Sequence, residues 1–129
     1  MKKFTIFVAG NLLIKEDSVA LKLMPKLAKK FPQIEFIELE PTDNFPEEKF
    51  LTIIDAVEGI NEIKIIEDID KIVLQKSFSL HDFDLGTNLK LLKKAGKLEK
   101  VKIIGIPMKW KEKQALEELC KQIKKLLNE

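Results

Sequence analysis

A chain of 129 residues has the length of one domain that can bury a hydrophobic core, and its 23 basic and 21 acidic residues leave a formal net charge of +2. The two signs are interleaved and arginine is absent, which argues against a nucleic-acid-binding surface. Cys120 is the sole cysteine, so no intrachain disulfide can form, and this fits a reducing compartment. No apolar run has membrane-spanning length, and no signal-peptide cleavage site follows the first apolar segment. We expect one cytoplasmic domain over residues 1–129, with no membrane or nucleic-acid partner.

Five apolar segments have the length and composition of β-strands. In chain order they are Phe4–Val8, Ile34–Leu39, Leu51–Val57, Ile63–Ile66 and Val101–Ile106. The first is apolar enough for a buried parallel strand, and the third is typical of a central strand that ends at Gly59. Lys64 favours an edge position for the fourth segment.

Three other segments repeat apolar residues at helical spacing. The first helix can be capped by Asp17 or Ser18, should be kinked or unsettled by Pro25 and should end at Pro32. Its predicted inward face comprises Val19, Ala20, Leu23, Leu27 and Phe31. The second helix spans roughly Leu85 to Ala95, with Gly96 as its stop. The third helix is predicted over Glu112–Leu127, with an inward face of Leu116, Leu119, Cys120, Ile123 and Leu127.

The order of these elements predicts an α/β fold with three layers, α/β/α. We expect a mostly parallel sheet of about five strands, with helices on both faces and one antiparallel edge strand. No internal repeat, low-complexity tract or linker divides the sequence, so residues 1–129 form one predicted domain.

Three residues that can bind a metal stand beside predicted strands: Asp17, Asp55 and His81. The carboxyl ends of the strands are where sites assemble in an open α/β sheet. Two carboxylates and one imidazole make an open ligand set for a transition metal. His81 is the sole histidine of the chain.

Each of these residues also has a structural explanation. Asp17 can cap the first helix, and Glu16 is a competing ligand one residue away. His81 can lie on a loop or cap the next helix. Asp55 is harder to explain in this way, because a carboxylate inside the run from Thr52 to Val57 is costly to bury without a partner. Asp55 therefore either lies at an exposed strand end or binds a cation.

Several catalytic classes are excluded by their missing motifs. The sequence has no glycine-rich phosphate loop, no dinucleotide fingerprint and no Gly-x-Ser-x-Gly elbow. A single histidine excludes a His-Glu-x-x-His zinc site. Cys120 falls on a predicted helix face, which is a poor place for a nucleophile. An enzyme with this sequence must use carboxylates, one imidazole and a metal.

Motifs along nearly the whole chain fit one known pattern. The first strand leads through Gly10-Asn11 and four mostly apolar residues to the acidic pair Glu16-Asp17. A later strand ends in Asp55-Ala56-Val57, Ser79-Leu80-His81 precedes a helix, and the last strand ends in Ile103-Ile104-Gly105-Ile106-Pro107. In order and spacing, the chain resembles the [NiFe]-hydrogenase maturation endopeptidases.

The resemblance implies an activity and a site. Family members remove a short C-terminal extension from the hydrogenase large-subunit precursor after nickel insertion, and the nickel is thought to belong to the substrate. The metal ligands map to Asp17, Asp55 and His81. The metal can polarise the scissile carbonyl, or it can only position the chain while Asp17 or Asp55 acts as the base toward water. We expect a hydrolase of the aspartyl-protease type that acts as a monomer and uses nickel supplied by the substrate, or another divalent metal in isolation.

The chain departs from the family pattern in three places. It has Val8-Ala9-Gly10-Asn11 where Gly-x-Gly-Asn is usual, and Glu38–Thr42 lacks the expected Gly-Thr turn. The segment from Thr42 to Leu51 is too short for the usual intervening helix.

Two alternatives to the endopeptidase stay open. One is an accessory protein that senses or docks on the nickel-loaded large subunit without cutting it. The other is a generic α/β binding module whose acids and histidine are caps.

Overall fold

The computed structural model describes residues 4–9, 19–39, 48–67, 79–80 and 91–128. Six strands are present in this part of the chain, namely β1 (Phe4–Val8), β2 (Ile34–Glu38), β3 (Phe50–Glu58), β4 (Lys64–Ile66), β5 (Ser79–Leu80) and β6 (Lys100–Pro107). The two long helices are α1 (Val19–Lys30) and α2 (Glu112–Leu127). Residues 91–94 are also helical, and they belong to the helix predicted from Leu85 to Ala95. All five predicted strands are thus confirmed, and β5 is an addition.

The strands form one mixed sheet in the order β2-β1-β3-β6-β4, with β5 paired to β3. The pairs of β1 with β2, β1 with β3 and β3 with β6 are parallel. β4 pairs antiparallel with β6 at one edge, and β5 pairs antiparallel with β3. The predicted mostly parallel sheet with one antiparallel edge strand is confirmed. β3 lies in the middle of the sheet because its run from Leu51 to Val57 is apolar on both faces apart from Thr52 and Asp55.

Side chains alternate between two hydrophobic clusters, one on each face of the sheet. On the first face, Ile54 of β3 and Ile104 of β6 belong to the same cluster as the buried residues of α1 and α2. On the second face, Ile53 and Ile103 belong to a cluster that includes Leu98, and Leu92 of the 91–94 helical segment packs against it. The predicted helices on both faces are therefore confirmed for the described residues, and the core consists of two apolar layers separated by the sheet.

The predicted inward face of the first helix is confirmed. Its five apolar residues, Val19, Ala20, Leu23, Leu27 and Phe31, are all buried. Pro25 lies inside α1 on the exposed side, and the helix is continuous through it. A proline there removes one backbone donor, and the expected kink stays a prediction. No helix among the described residues is long and apolar enough to cross a membrane.

The predicted inward face of α2 is partly wrong. Leu119 and Ile123 are buried and Leu116 and Cys120 are half-buried, but Leu127 is 36% exposed. Ala115, which is not part of the predicted face, is buried. Each step of four residues advances about 40° around an α-helix, so a stripe that starts at Ala115 has rotated away from the core by Leu127. Leu126 stays on that stripe and packs against the core.

This corrected face predicts different costs for two leucines of α2. We expect Leu119→Ala to lower the free energy of unfolding by about 2–5 kcal/mol, because it leaves a cavity at a fully buried position. Leu127→Ala should lower it by less than about 1 kcal/mol. Urea denaturation followed by circular dichroism measures both values. Equal losses for the two variants would contradict the assignment of the helix face.

A second prediction concerns Gly105, which is in register with Asp55 of β3 and with Lys64 of β4. A Cβ atom on Gly105 would lie 2.9 Å from Cγ2 of Val57, a fully buried side chain. We expect Gly105→Ala to destabilise the protein by about 1–3 kcal/mol through overpacking. In a double-mutant cycle, Val57→Ala should relieve part of that loss because it removes the clashing methyl group. Strict additivity of the two substitutions would contradict this explanation.

Candidate active site at the carboxyl edge of the sheet

The strand order creates a crevice at the carboxyl end of β1. From β1 the chain passes through α1 to β2 on one side, whereas β3 lies on the other side of β1. Ligands in open α/β sheets bind at such a switch of direction, outside the carboxyl ends of the strands. The site predicted from the sequence therefore belongs between the ends of β1 and β3.

Asp55 lies at this position. Its relative exposure is 3%, and it is the one charged or polar residue that is buried among the described residues. This finding excludes one of the two explanations that the sequence left open, because the carboxylate is not at an exposed strand end, and cation binding by Asp55 stays a prediction. Burial of a carboxylate is costly unless charge or hydrogen bonding offsets the lost hydration, so the position requires an interaction with the carboxylate.

One edge of β3 pairs first with β1 and then with β5, and the change between the two partner strands falls at Asp55. The pairing with β1 ends at Val8 opposite Ile54, and the N–H of Ala9 donates to the carbonyl oxygen of Ile54 at 2.8 Å. The pairing with β5 begins at Val57 opposite Leu80. Asp55 and Ala56 thus occupy an interval between the end of one partner strand and the start of another.

Small residues flank Asp55 on its own face of the sheet. Alternation along β3 places Asp55 on the face of Leu51 and Ile53. On that face Ala9 follows β1 on one side, and Gly105 is in register on the other side. Neither neighbour has a side chain that can reach over the carboxylate, and the side chain of Val57 occupies the space next to Gly105.

The other two predicted ligands, Asp17 and His81, lie outside the described residues. Asp17 comes two residues before Val19, the first residue of α1, which shares a hydrophobic cluster with Ile54. His81 follows Leu80, whose partner is Val57. The described residue next to His81 therefore pairs with β3 two residues from Asp55, and the one closest to Asp17 belongs to the apolar layer that includes Ile54.

A metal site is not tested by the described residues. Residues 4–9, 19–39, 48–67, 79–80 and 91–128 contain no group of three His, Cys, Asp or Glu that could hold a metal ion. The predicted set includes two residues outside these ranges. The roles of Asp17, Asp55 and His81, and that of Glu16 as a competing ligand, stay predictions.

Sequence reasoning missed two features of this edge. The strand β5 has only two residues, which is too short for any period of alternation to be visible. The sequence places Gly105 in the last strand, but its register with Asp55 follows only from the pairing of β3 with β6. The one available signal was a glycine inside a strand, which often marks a close approach of another group.

Comparisons with known proteins address the family. The model of the hydrogenase maturation protease family HycI matches residues 29–129, a range that includes Asp55 and His81 but not Asp17. A search of curated proteins gave no match. Among solved structures, the hydrogenase maturating endopeptidase HybD from Escherichia coli is 14% identical with a TM-score of 0.65, and the alignment covers 96% of this chain and 93% of that chain.

Two further solved structures are similar. The endopeptidase HycI from Escherichia coli is 24% identical with a TM-score of 0.54, and 88% of this chain and 85% of that chain are covered. An uncharacterized protein from Wolinella succinogenes is 17% identical with a TM-score of 0.55, and 98% of each chain is covered. At these identities the structures establish the shared α/β fold, whereas the family model covers most of the sequence. The chain belongs to the hydrogenase maturation protease family.

Proposed function

We propose that this protein is an endopeptidase that removes the C-terminal extension of a [NiFe]-hydrogenase large-subunit precursor after nickel has been inserted. The observation that carries the proposal is the buried carboxylate of Asp55, which lies in the interval between β1 and β5 at the direction switch of the sheet. Membership of a maturation protease family supports peptide hydrolysis as the reaction.

The proposed recognition of nickel uses Asp17, Asp55 and His81. The nickel belongs to the substrate, and the two carboxylates and the imidazole contact it from the peptidase side. Two oxygen donors and one nitrogen donor leave coordination positions for groups of the substrate. A divalent cation next to Asp55 would also offset the cost of burying that carboxylate. The site would then be complete only when a nickel-loaded substrate is bound.

The proposed hydrolysis needs an activated water beside the scissile bond. Asp17 or Asp55 accepts a proton from that water and thereby increases its nucleophilicity. The nickel of the substrate can also polarise the scissile carbonyl, which lowers the barrier for attack. In either case the scissile bond must be held in line with the carboxylate.

The first test uses a nickel-loaded large-subunit precursor and follows its mass over time. We expect Asp55→Asn and His81→Ala to slow removal of the extension by at least roughly 100-fold, because each removes a group at the reacting centre. Glu62→Gln is the matched control, since Glu62 is an exposed acid on the segment after β3, and it should cleave at the normal rate. Equal cleavage by the wild type and both site variants would refute the site assignment.

The second test removes the metal from the substrate. We expect a precursor prepared without nickel to keep its extension, because the recognition site is then incomplete. Adding nickel to the same precursor should restore cleavage in a mass measurement. Rapid cleavage of the nickel-free precursor would contradict substrate-metal recognition. Stable binding without any change of mass, even with nickel present, would instead favour the non-cleaving accessory protein.

The monomeric state and the cytoplasmic location also stay predictions. Analytical ultracentrifugation of the purified chain addresses the first, and cell fractionation addresses the second.

A further inference from the structure

We propose that a groove beside the candidate active site binds an extended substrate segment that carries a carboxylate. The inference rests on the proposed function, because the occupant is part of the chain to be cleaved. The groove is a cavity of about 450 Å³ between the start of α1 and the segment that joins β6 to α2. Its wall on α1 includes Val19 and Lys22, and residues 108–112 form the other wall.

The groove opens next to the strand that carries Asp55. The N–H of Met108, a lining residue, donates to the carbonyl oxygen of Val57 at 3.2 Å. Val57 is two residues after Asp55, which corresponds to about 7 Å along a strand. Val19 is also the first residue of α1, two residues after Asp17. Asp55 lies on the face of Ile53, whereas Val19 and Met108 belong to the apolar layer on the other face. A peptide that reaches both must therefore pass over the carboxyl end of β3.

The charge of the groove favours an anionic occupant. Among the described residues, Lys22, Lys109 and Lys111 line it, and Glu112 is the one acidic lining residue. All three lysines are exposed at the surface. The whole chain has nearly balanced charge, so the described part of the lining carries a local excess of positive charge. Lys109 donates to Oδ1 of Asn61, which leaves Lys22 and Lys111 as the pair best tested by substitution.

The groove also has an apolar side, formed by Met108 and Trp110. Both are half-buried and pack against the hydrophobic cluster beneath α1 and α2. Their position in the core cluster fixes them, and their remaining surface faces the cavity that they line. An apolar surface next to separate positive charges suits a segment with one apolar side chain and one or more carboxylates.

The size of the cavity argues against a single small anion. A volume of about 450 Å³ lies within the range of volumes of pockets that bind drug-sized molecules. The first turn of α2 adds a small positive potential, because Lys111 at its N-cap makes no side-chain cap. That contribution is secondary to the lysines, and Glu112 in the same turn opposes it. The carboxylate of the occupant comes either from an acidic side chain or from a chain terminus.

The binding test uses peptide probes and the fluorescence of Trp110, which is the sole tryptophan of a chain without tyrosine. Three acetylated eight-residue peptides share the same leucine and glycine positions and differ in which carboxylates they carry. The first contains glutamates and has an amidated terminus. The second contains glutamines and a free terminus, and the third contains glutamines and an amidated terminus. We expect the first or second peptide to shift the emission of Trp110 and the third to bind at least roughly tenfold more weakly.

The variant Lys22→Gln with Lys111→Gln should weaken the carboxylate peptide roughly five- to tenfold. The control variant Lys30→Gln with Lys124→Gln removes the same charge from exposed positions at the far ends of α1 and α2, and its affinity should stay within about twofold. Restoring positive charge with Lys22→Arg and Lys111→Arg should restore most of the affinity. Circular dichroism of each variant verifies that it is folded.

Three outcomes would overturn the groove proposal. Equal binding of all three peptides would show that no carboxylate is recognised. Equal weakening in the groove and control variants would show a general charge effect. Binding without any change in Trp110 emission, or no binding at all, would place the peptide elsewhere or nowhere. These measurements do not depend on cleavage, so they can refute the groove proposal without refuting the proposed activity.

A cleavage measurement links the groove to the activity. For a nickel-loaded precursor with an acidic extension, we expect the groove variant to raise KM roughly fivefold with kcat nearly unchanged, because it removes binding rather than chemistry. The control variant should leave both values unchanged. An unchanged KM in an active groove variant would overturn the groove proposal, whereas loss of activity in the wild type would count against the proposed function instead.

Discussion

Desolvation of one carboxylate constrains the carboxyl edge of this protein. Asp55 is 3% exposed within a strand that is otherwise almost entirely apolar. An isolated charge in such an environment is expensive, so the surroundings of Asp55 have to supply a compensating interaction. Burial would serve the proposed nickel recognition, because a buried carboxylate interacts more strongly with a cation than an exposed carboxylate does.

The sheet topology brings the remaining parts of the site to this carboxylate. β3 is central because β1 and β6 pair with it on opposite sides. On the β1 side, pairing stops at Ile54 and resumes with β5 at Val57. On the β6 side, Gly105 faces Asp55 without a side chain. The lysine-lined groove lies beyond this edge, next to Met108, and leads away from the reacting centre. Chemistry and substrate positioning would thus use different faces of one strand end.

Much of this arrangement was predictable because periodicity reports directly on burial. The strands and the inward face of α1 followed from runs of apolar residues, and the structure confirms them. Errors arose where a local pattern is ambiguous. Leu127 continues the four-residue spacing of α2 but has rotated out of the core. Ser79–Leu80 contains no pattern at all and becomes a strand only through its pairing with β3. The predicted ligands Asp17 and His81 lie outside the described residues, so their convergence on Asp55 stays a prediction.

By itself, the sequence determined five of the six described strands and the two long helices, that Asp55 stands inside an apolar strand, and which family the motifs resemble. These properties depend on neighbours in the chain, whose spacing is visible in the sequence. Only the tertiary structure decided that Asp55 is buried, that Ala9 and Gly105 flank it, and that Lys22 shares a groove with Trp110 and Lys111. These properties depend on strand order and on the packing of α1 and α2, which bring together residues far apart in sequence.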